Sequence, residues 1–342
     1  MKVLLPESLF EAPPSFFVET LVTIAQRRGH RLVAEFDWET SQIFARWVGG
    51  LRPMDADALR SALRAGFTAS QRERIDSVVR AHASTSNWHD TPPTVGGNDL
   101  QDLLMQPLTI LVENETHDEH FIRAMPFGTE RDTFFEALNK GQIKFDMGGG
   151  SSLRSLVESR SRSWIWSHRA WVIFDSDALL PGEPSGEARA KEQTCRDSGV
   201  HCYCLKRREA ENYLPPSELE EHFRLHSAPL DRRKAASAFA RMTPDQRAHF
   251  DLKEGFDGDA SGVHVALRQK RETAMLERIS KHYDSVPPND RAALGAGFSK
   301  DIADLFKVDL ARNRAGISEG RRRQDGQDAE MVPLFRAILA WL

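Results

Sequence analysis

The spacing of apolar positions changes twice along the chain. In the first part, SFFVETLVTIAQRRG places Phe17, Leu21 and Ile24 at helical spacing, with Gly29 as a stop. DADALRSALRAG and TASQRERIDSVVRA read as two further amphipathic helices, and ASTSNWHDTPPTVGGND (83–99) as a turn-rich linker. Residues 1–105 are therefore expected to form a mostly helical region.

From 106 to 216 the pattern is different. Short apolar, β-branched runs alternate with amphipathic ones: LTILVEN (108–114), QIKFDMGGG, RAWVIFDSD and VHCYCL (200–205) read as strands. DEHFIRAM, TERDTFFEALNKG, SSLRSLVESRS and SGEARAKEQTCRDSG read as the intervening helices. Strands that alternate with helices in this way predict an α/β fold with a parallel sheet of about four strands covered on both faces. In such sheets ligands sit at the carboxyl ends of the strands. From 217 to 342 the helical period returns, in VALRQKRETAMLERISKHY, SKDIADLFKVDLARN and MVPLFRAILAWL, with a charged loop, SEGRRRQDGQDAE, before the last of these. No internal repeat or extended low-complexity tract is present.

Composition narrows the class. The 342 residues are 40% hydrophobic and 28% charged, with a net charge of −4, so no global positive field recruits a polyanion. The three cysteines, Cys195, Cys202 and Cys204, cannot all pair, which argues against a disulfide framework and fits a reducing cytoplasm. The start MKVLLPESLFEAPP lacks a long apolar core, and no run of 18 apolar residues occurs, so neither a signal peptide nor a membrane span is expected.

Acidic residues collect where the strands end. The first strand runs into Glu113, with Asp118 following, and the third runs into Asp175 and Asp177. Residues two apart on a strand face the same side, so the two aspartates could face one ion. If strands one and three are neighbours, Glu113 joins them. A cluster of carboxylate oxygens suits Mg²⁺ or Mn²⁺, and two such ions can clamp the attacking and leaving oxygens of a phosphodiester.

ILVENETHDEHF, GGGSS and VIFDSDA, in that order, resemble the Toprim fold, with its glutamate after strand one and its aspartate-x-aspartate after strand three. Asn114 stands where that family has a glycine. LKRREAENYLPPSEL (205–219) is similar to the R-x-x-E-N-Y-L segment of overcoming-lysogenization-defect (OLD) type nucleases and of small Toprim effectors of bacterial phage defence. None of the three tyrosines stands in a context like a topoisomerase nucleophile, and the cysteines form no primase-type zinc ribbon. The resemblance covers about residues 107 to 215 and implies a divalent-metal-dependent nuclease acting on DNA or RNA, with one or two ions. It implies Glu113 as metal ligand or general base and Asp175 and Asp177 as the metal-binding pair. Glu211, with Glu209, matches the acid after strand four, and Asp118 could complete the site. Lys206, Arg207 and Arg208 would hold phosphate oxygens or transition-state charge, and Gly149 and Ser151 would let a nucleic-acid backbone approach the sheet edge. No G-x-x-x-x-G-K-[ST] motif occurs, so ATP sensing would need a partner ATPase. Antiviral defence in the cytoplasm, with a homo-oligomer open, is the implied setting.

Other readings compete. VIFDSDALL could be the nucleophile strand of a haloacid-dehalogenase-like phosphatase using Asp175, or the chain could be a non-catalytic nucleic-acid-binding or scaffold module. Zinc on Cys195, Cys202, Cys204 and His201 is disfavoured because that strand should be buried. FDGDASG (256–262) begins like an EF-hand loop, but its twelfth position is Arg268 and not glutamate. The tryptophans of SWIWSHRAW read as packing and GRRRQDG (320–326) as a solvated charge run.

Overall fold

The computed structural model describes residues 1–11, 21–25, 29–72, 74–149, 152–225, 229–260, 273–309, 314–315 and 317–342. Its N-terminal part runs β1 (Lys2–Leu5), β2 (Arg31–Ala34), α1 (Gln42–Gly49), α2 (Pro53–Arg72), β3 (Val78–His82), β4 (Thr94–Gly96) and α3 (Gly97–Met105). α2 merges the first of the two helices expected over 55–81 with the start of the second, while α1, α3 and the strands were not expected. They form a parallel sheet ordered β2-β1-β3-β4. Half-buried charged residues, Lys2, Arg31 and Arg80, interrupt these strands, so they do not stand out as continuous apolar runs. VVRAH (78–82), which looks like the tail of a helix, becomes β3 because Val79 and Ala81 reach the core between β1 and β4. The supposed linker supplies β4 and the start of α3. Of the first expected helix, residues 21–25 are helical, Gly29 has φ +72°, and residues 12–20 and 26–28 lie outside the described residues.

The middle part follows the expected order: β5 (Leu108–Val112), α4 (Glu115–Ala124), α5 (Gly128–Asn139), β6 (Ile143–Met147), α6 (Leu153–Arg160), α7 (Trp164–Ser167), β7 (Ala170–Phe174), α8 (Gly186–Asp197) and β8 (His201–Cys204). The sheet is parallel and ordered β6-β5-β7-β8, so the first and third strands are neighbours. Every residue of β5 and β7 is buried. Alternation then divides the side chains between two cores. Leu108, Ile110, Val112, Trp171 and Ile173 join one, while Leu111, Val172 and Phe174 join the other with Cys195 and Val200 of the α8 side. Each such apolar side chain contributes about 1.5–3 kcal/mol on burial. That is why these strands read as unbroken apolar runs.

The C-terminal part is helical: α9 (Pro216–Leu225), α10 (Leu230–Arg241), α11 (Pro244–His249), α12 (Gly255–Ala260), α13 (Thr273–His282), α14 (Pro288–Ala293), α15 (Glu319–Gln324) and α16 (Asp328–Leu339). Two expectations change. SKDIADLFKVDLARN is a 3₁₀ helix at Lys300–Phe306 followed by a two-residue strand, Val308–Asp309. The charged loop around GRRRQDG is α15, and it is not simply solvated. Arg322 is fully buried, donates to the carbonyls of Met125 at 2.8 Å and Pro126 at 3.3 Å, and covers the Phe127 ring. Arg321 pairs with Glu218 and Arg323 with Glu319. Pro333 lies inside α16 and not in its first turn. No helix among the described residues is long and apolar enough to cross a membrane.

Candidate metal centre

The site forms where β5 and β7 end. Beyond Val112, Glu113 turns back so that its Oε2 accepts the main-chain amide of Asp175 at 3.1 Å. The next residue, Asn114, is the N-cap of α4, and its side chain accepts from the amides of Thr116 and His117. Its φ of −120° is extended, so no glycine is required where the Toprim pattern has one. One turn into α4, Asp118 Oδ2 accepts the Asn114 amide at 2.7 Å.

After Phe174 the chain leaves the strand, and strand alternation is not what aligns the two aspartates. Asp177 has φ +47°, a left-handed conformation that aspartate tolerates better than most residues. It is held there from outside. The Asp177 amide donates to Arg208 O at 2.8 Å, and the buried Ser176 hydroxyl donates to Arg207 O at 2.7 Å. In return, the Ala210 amide donates to Asp175 Oδ1 at 2.9 Å. The loop after β8 is thus stitched to the loop after β7.

That second loop brings in the remaining acids. Glu209 caps a 3₁₀ turn, Ala210–Tyr213, in a reciprocal arrangement with Asn212. Asn212 is fully buried, and its Nδ2 donates to the carbonyls of Arg247 and Phe250, both at 2.8 Å. Tyr213 donates to Glu330 Oε1 of α16 at 2.8 Å, an oxygen that also accepts from the Tyr203 hydroxyl and the Lys206 amide. The R-x-x-E-N-Y-L segment therefore locks this loop in place while presenting Glu209 and Glu211.

Crowding shows in the electrostatics. Burial, then the charges of Asp118, Glu209, Glu211 and Glu113, push Asp175 well above the usual carboxylate range. Burial raises Asp177 to about 6, with Glu209 and Glu113 adding to it and Lys191 and Arg208 opposing. Burial also raises Asp118 to about 6, helped by Glu113 and Glu211 against the Asn114 amide and Lys253.

Two lysines that the sequence reading missed sit among the acids. Lys191 Nζ of α8 lies 2.5 Å from Glu113 Oε1. Lys253 Nζ lies 3.1 Å from Glu209 Oε2 and 3.3 Å from Glu211 Oε1. Burial works against the Lys253 charge, but Glu209, Glu211 and Asp175 outweigh it and raise its pKa. Lys191 left a faint trace in the sequence, because it shares the inward face of α8 with Ala188 and Cys195. Lys253 left none, since its loop is placed by contacts distant in sequence, Arg208 to Asp251 at 2.8 Å and Ser299 N–H to Lys253 O at 3.1 Å among them.

Two of the three basic residues expected to hold phosphate are engaged in the fold. Arg207 donates to Asp325 at 2.7 Å and to Asn212 O at 2.8 Å, over the Tyr213 ring. Its guanidinium is thus largely buried and tied to Asp325. Arg208 is buried, bonds Asp251 Oδ2 at 2.8 Å, and reaches the site as a charge near Asp177. Lys206 is exposed, and its ammonium has no ion-pair partner among the described residues. Gly149 is exposed with φ +63°, and Ser151 lies outside the described residues. Phe256–Ala260 of the EF-hand-like stretch belong to α12. His201 stacks on Trp171, in the core on the face of β8 opposite Cys202, so the four zinc candidates do not share a face.

Among the described residues no three His, Cys, Asp or Glu side chains already converge on one ion position; the lysines are interleaved with them. The donor set still fits a hard divalent cation. All six candidates are carboxylates, and Glu211 Oε2 is buried with no hydrogen-bond partner among the described residues. A buried acceptor without a donor is costly, and a cation supplies what it lacks. Comparison with protein-family models, with curated proteins and with solved structures finds no match.

Proposed function

We propose that the chain is a divalent-metal-dependent nuclease of Toprim type. The observation that carries this reading is the gathering of Glu113, Asp118, Glu209 and Glu211 around Asp175, with Asp177 beside them, crowded enough to raise Asp175 well above its ordinary range. Structural acids are rarely packed so that they destabilise one another; functional ones are.

Glu113, Asp175 and Asp177 would hold one Mg²⁺ or Mn²⁺, and Asp175 with Glu209 and Glu211 a second. Bound there, the ion would polarise the phosphodiester and lower the pKa of a water. The chain's own residues do the rest. Asp118, titrating near 6, suits acceptance of a proton from the attacking water. Lys253, about a quarter exposed, suits a phosphate oxygen beside Glu209 and Glu211.

A phosphatase reading is less well supported, because that family opens its core with the nucleophile strand, whereas here the strand ending in Asp175 follows β5, another strand that ends in an acid. The scaffold reading rested on Asn114, whose extended backbone removes the need for glycine. The defence role and the partner ATPase rest on the R-x-x-E-N-Y-L resemblance and on the absence of a phosphate-binding loop motif.

The test is cleavage of labelled DNA, tRNA and total RNA with each divalent metal in turn. Cleavage with Mg²⁺ or Mn²⁺, abolished by EDTA and by Asp175→Asn, is the expected result. Undiminished cleavage by Asp175→Asn would sink the assignment.

A further inference from the structure

Lys191 stands in an unusual position. Its side chain is 6% exposed, and its ammonium meets Glu113 Oε1 at 2.5 Å while Glu113 Oε2 is taken by the Asp175 amide. Both oxygens of the first-strand acid are therefore engaged within the chain. The Phe174 ring lies 5.8 Å from Nζ, so the ammonium has one apolar wall and one anionic one. α8, which carries it, is anchored independently, by the Ser185 hydroxyl accepting the Ala188 amide at 3.0 Å and by Cys195 in the core. The lysine stem is thus held by the fold, and only its head is committed to Glu113.

We infer that Lys191 is a built-in counter-cation, which neutralises Glu113 until a divalent ion takes that carboxylate. This rests on the metal reading above. The physical reason is competition. An ammonium on Glu113 occupies lone pairs that a metal would use, and its charge repels a second cation a few ångströms away. Without any cation, Glu113, Asp175 and Asp177 would repel one another in a partly buried site. The lysine therefore lets the empty site fold and weakens its affinity for metal. A lysine that merely oriented Glu113 for the ion would act with the opposite sign, since its removal would weaken metal binding.

Calorimetric titration of the full chain with Mn²⁺ separates the two. Lys191→Met should bind Mn²⁺ on the order of tenfold tighter than wild type, and Lys191→Arg, which keeps the charge, should bind about as wild type does. Equal or weaker binding by a folded Lys191→Met protein overturns the inference. A second measurement needs no variant. Amine acetylation of wild type followed by peptide mapping should label Lys191 more with Mn²⁺ than without, and unchanged labelling would overturn it too. Failure of wild type to bind Mn²⁺ at all overturns the metal reading itself, and the inference with it.

Discussion

The main-chain amide of Ala210 donates to Asp175 Oδ1 at 2.9 Å, so the acid that ends β7 also holds the first residue of the 3₁₀ turn carrying Glu211. Asp175 is thus both the most crowded carboxylate of the cluster and the link between its two loops. Replacing it by asparagine keeps an oxygen for the Ala210 amide and removes the charge. Asp175→Asn should therefore fold, lose metal-dependent cleavage by at least about a hundredfold, and melt no lower than wild type without metal, because a like charge is gone. A melting curve and a cleavage time course on one preparation check both halves. A clear drop in melting temperature would contradict the crowding.

The raised acids set a pH dependence. Asp118 and Asp177 titrate near 6 in the folded chain, against about 4 when unfolded. Between those values the folded state binds more protons than the unfolded one, so their contribution to stability is full below about pH 4 and is lost as pH rises through 6. Mg²⁺ favours the ionised forms, so its stabilising effect should grow from pH 5 to pH 7. Thermal melts with and without Mg²⁺ across that range test this, and Asp118→Asn with Asp177→Asn should flatten the metal-free slope.

Arg207 makes a different prediction from the one its sequence position suggests. Its pairing with Asp325, itself also bonded to Arg247 at 3.1 Å, is largely buried. Removing one partner of such a pair costs about 3–5 kcal/mol. Arg207→Met should lower stability in urea by that order, and at temperatures where the variant is folded its affinity for nucleic acid should match wild type. A selective loss of binding would restore Arg207 to the substrate surface.

Gly255 is where the Lys253 loop meets residues 294–297. With φ +69°, a Cβ there would come within 2.2 Å of Leu294 O and 2.3 Å of the Gly297 amide. Gly255→Ala should therefore displace the loop that carries Lys253, lower stability by more than about 1 kcal/mol, and reduce cleavage more than an alanine at an exposed α2 position does. An unchanged melting temperature and rate would show that the loop is not held by this contact.

The sequence by itself determined the middle parallel sheet and the edge at which its acids lie, while the neighbouring of β5 and β7 came from the sheet order. Strands buried on both faces must be continuous apolar runs, and an acid that follows such a run must lie at the carboxyl edge. LTILVEN and AWVIFDSD carried that information locally. Tertiary structure alone decided the rest. The N-terminal strands carry charged residues such as Lys2, Arg31 and Arg80 that break their apolar runs. Asp177 is placed by the Arg208 carbonyl and not by strand alternation. Arg207, Arg208 and Arg322, which read as surface charge, are drawn inward by Asp325, Asp251 and the carbonyls of Met125 and Pro126. Lys191 and Lys253 meet carboxylates 78 and about 40 residues away along the chain. Such pairings depend on which elements pack together, and a side chain's charge says nothing about its partner until that packing exists.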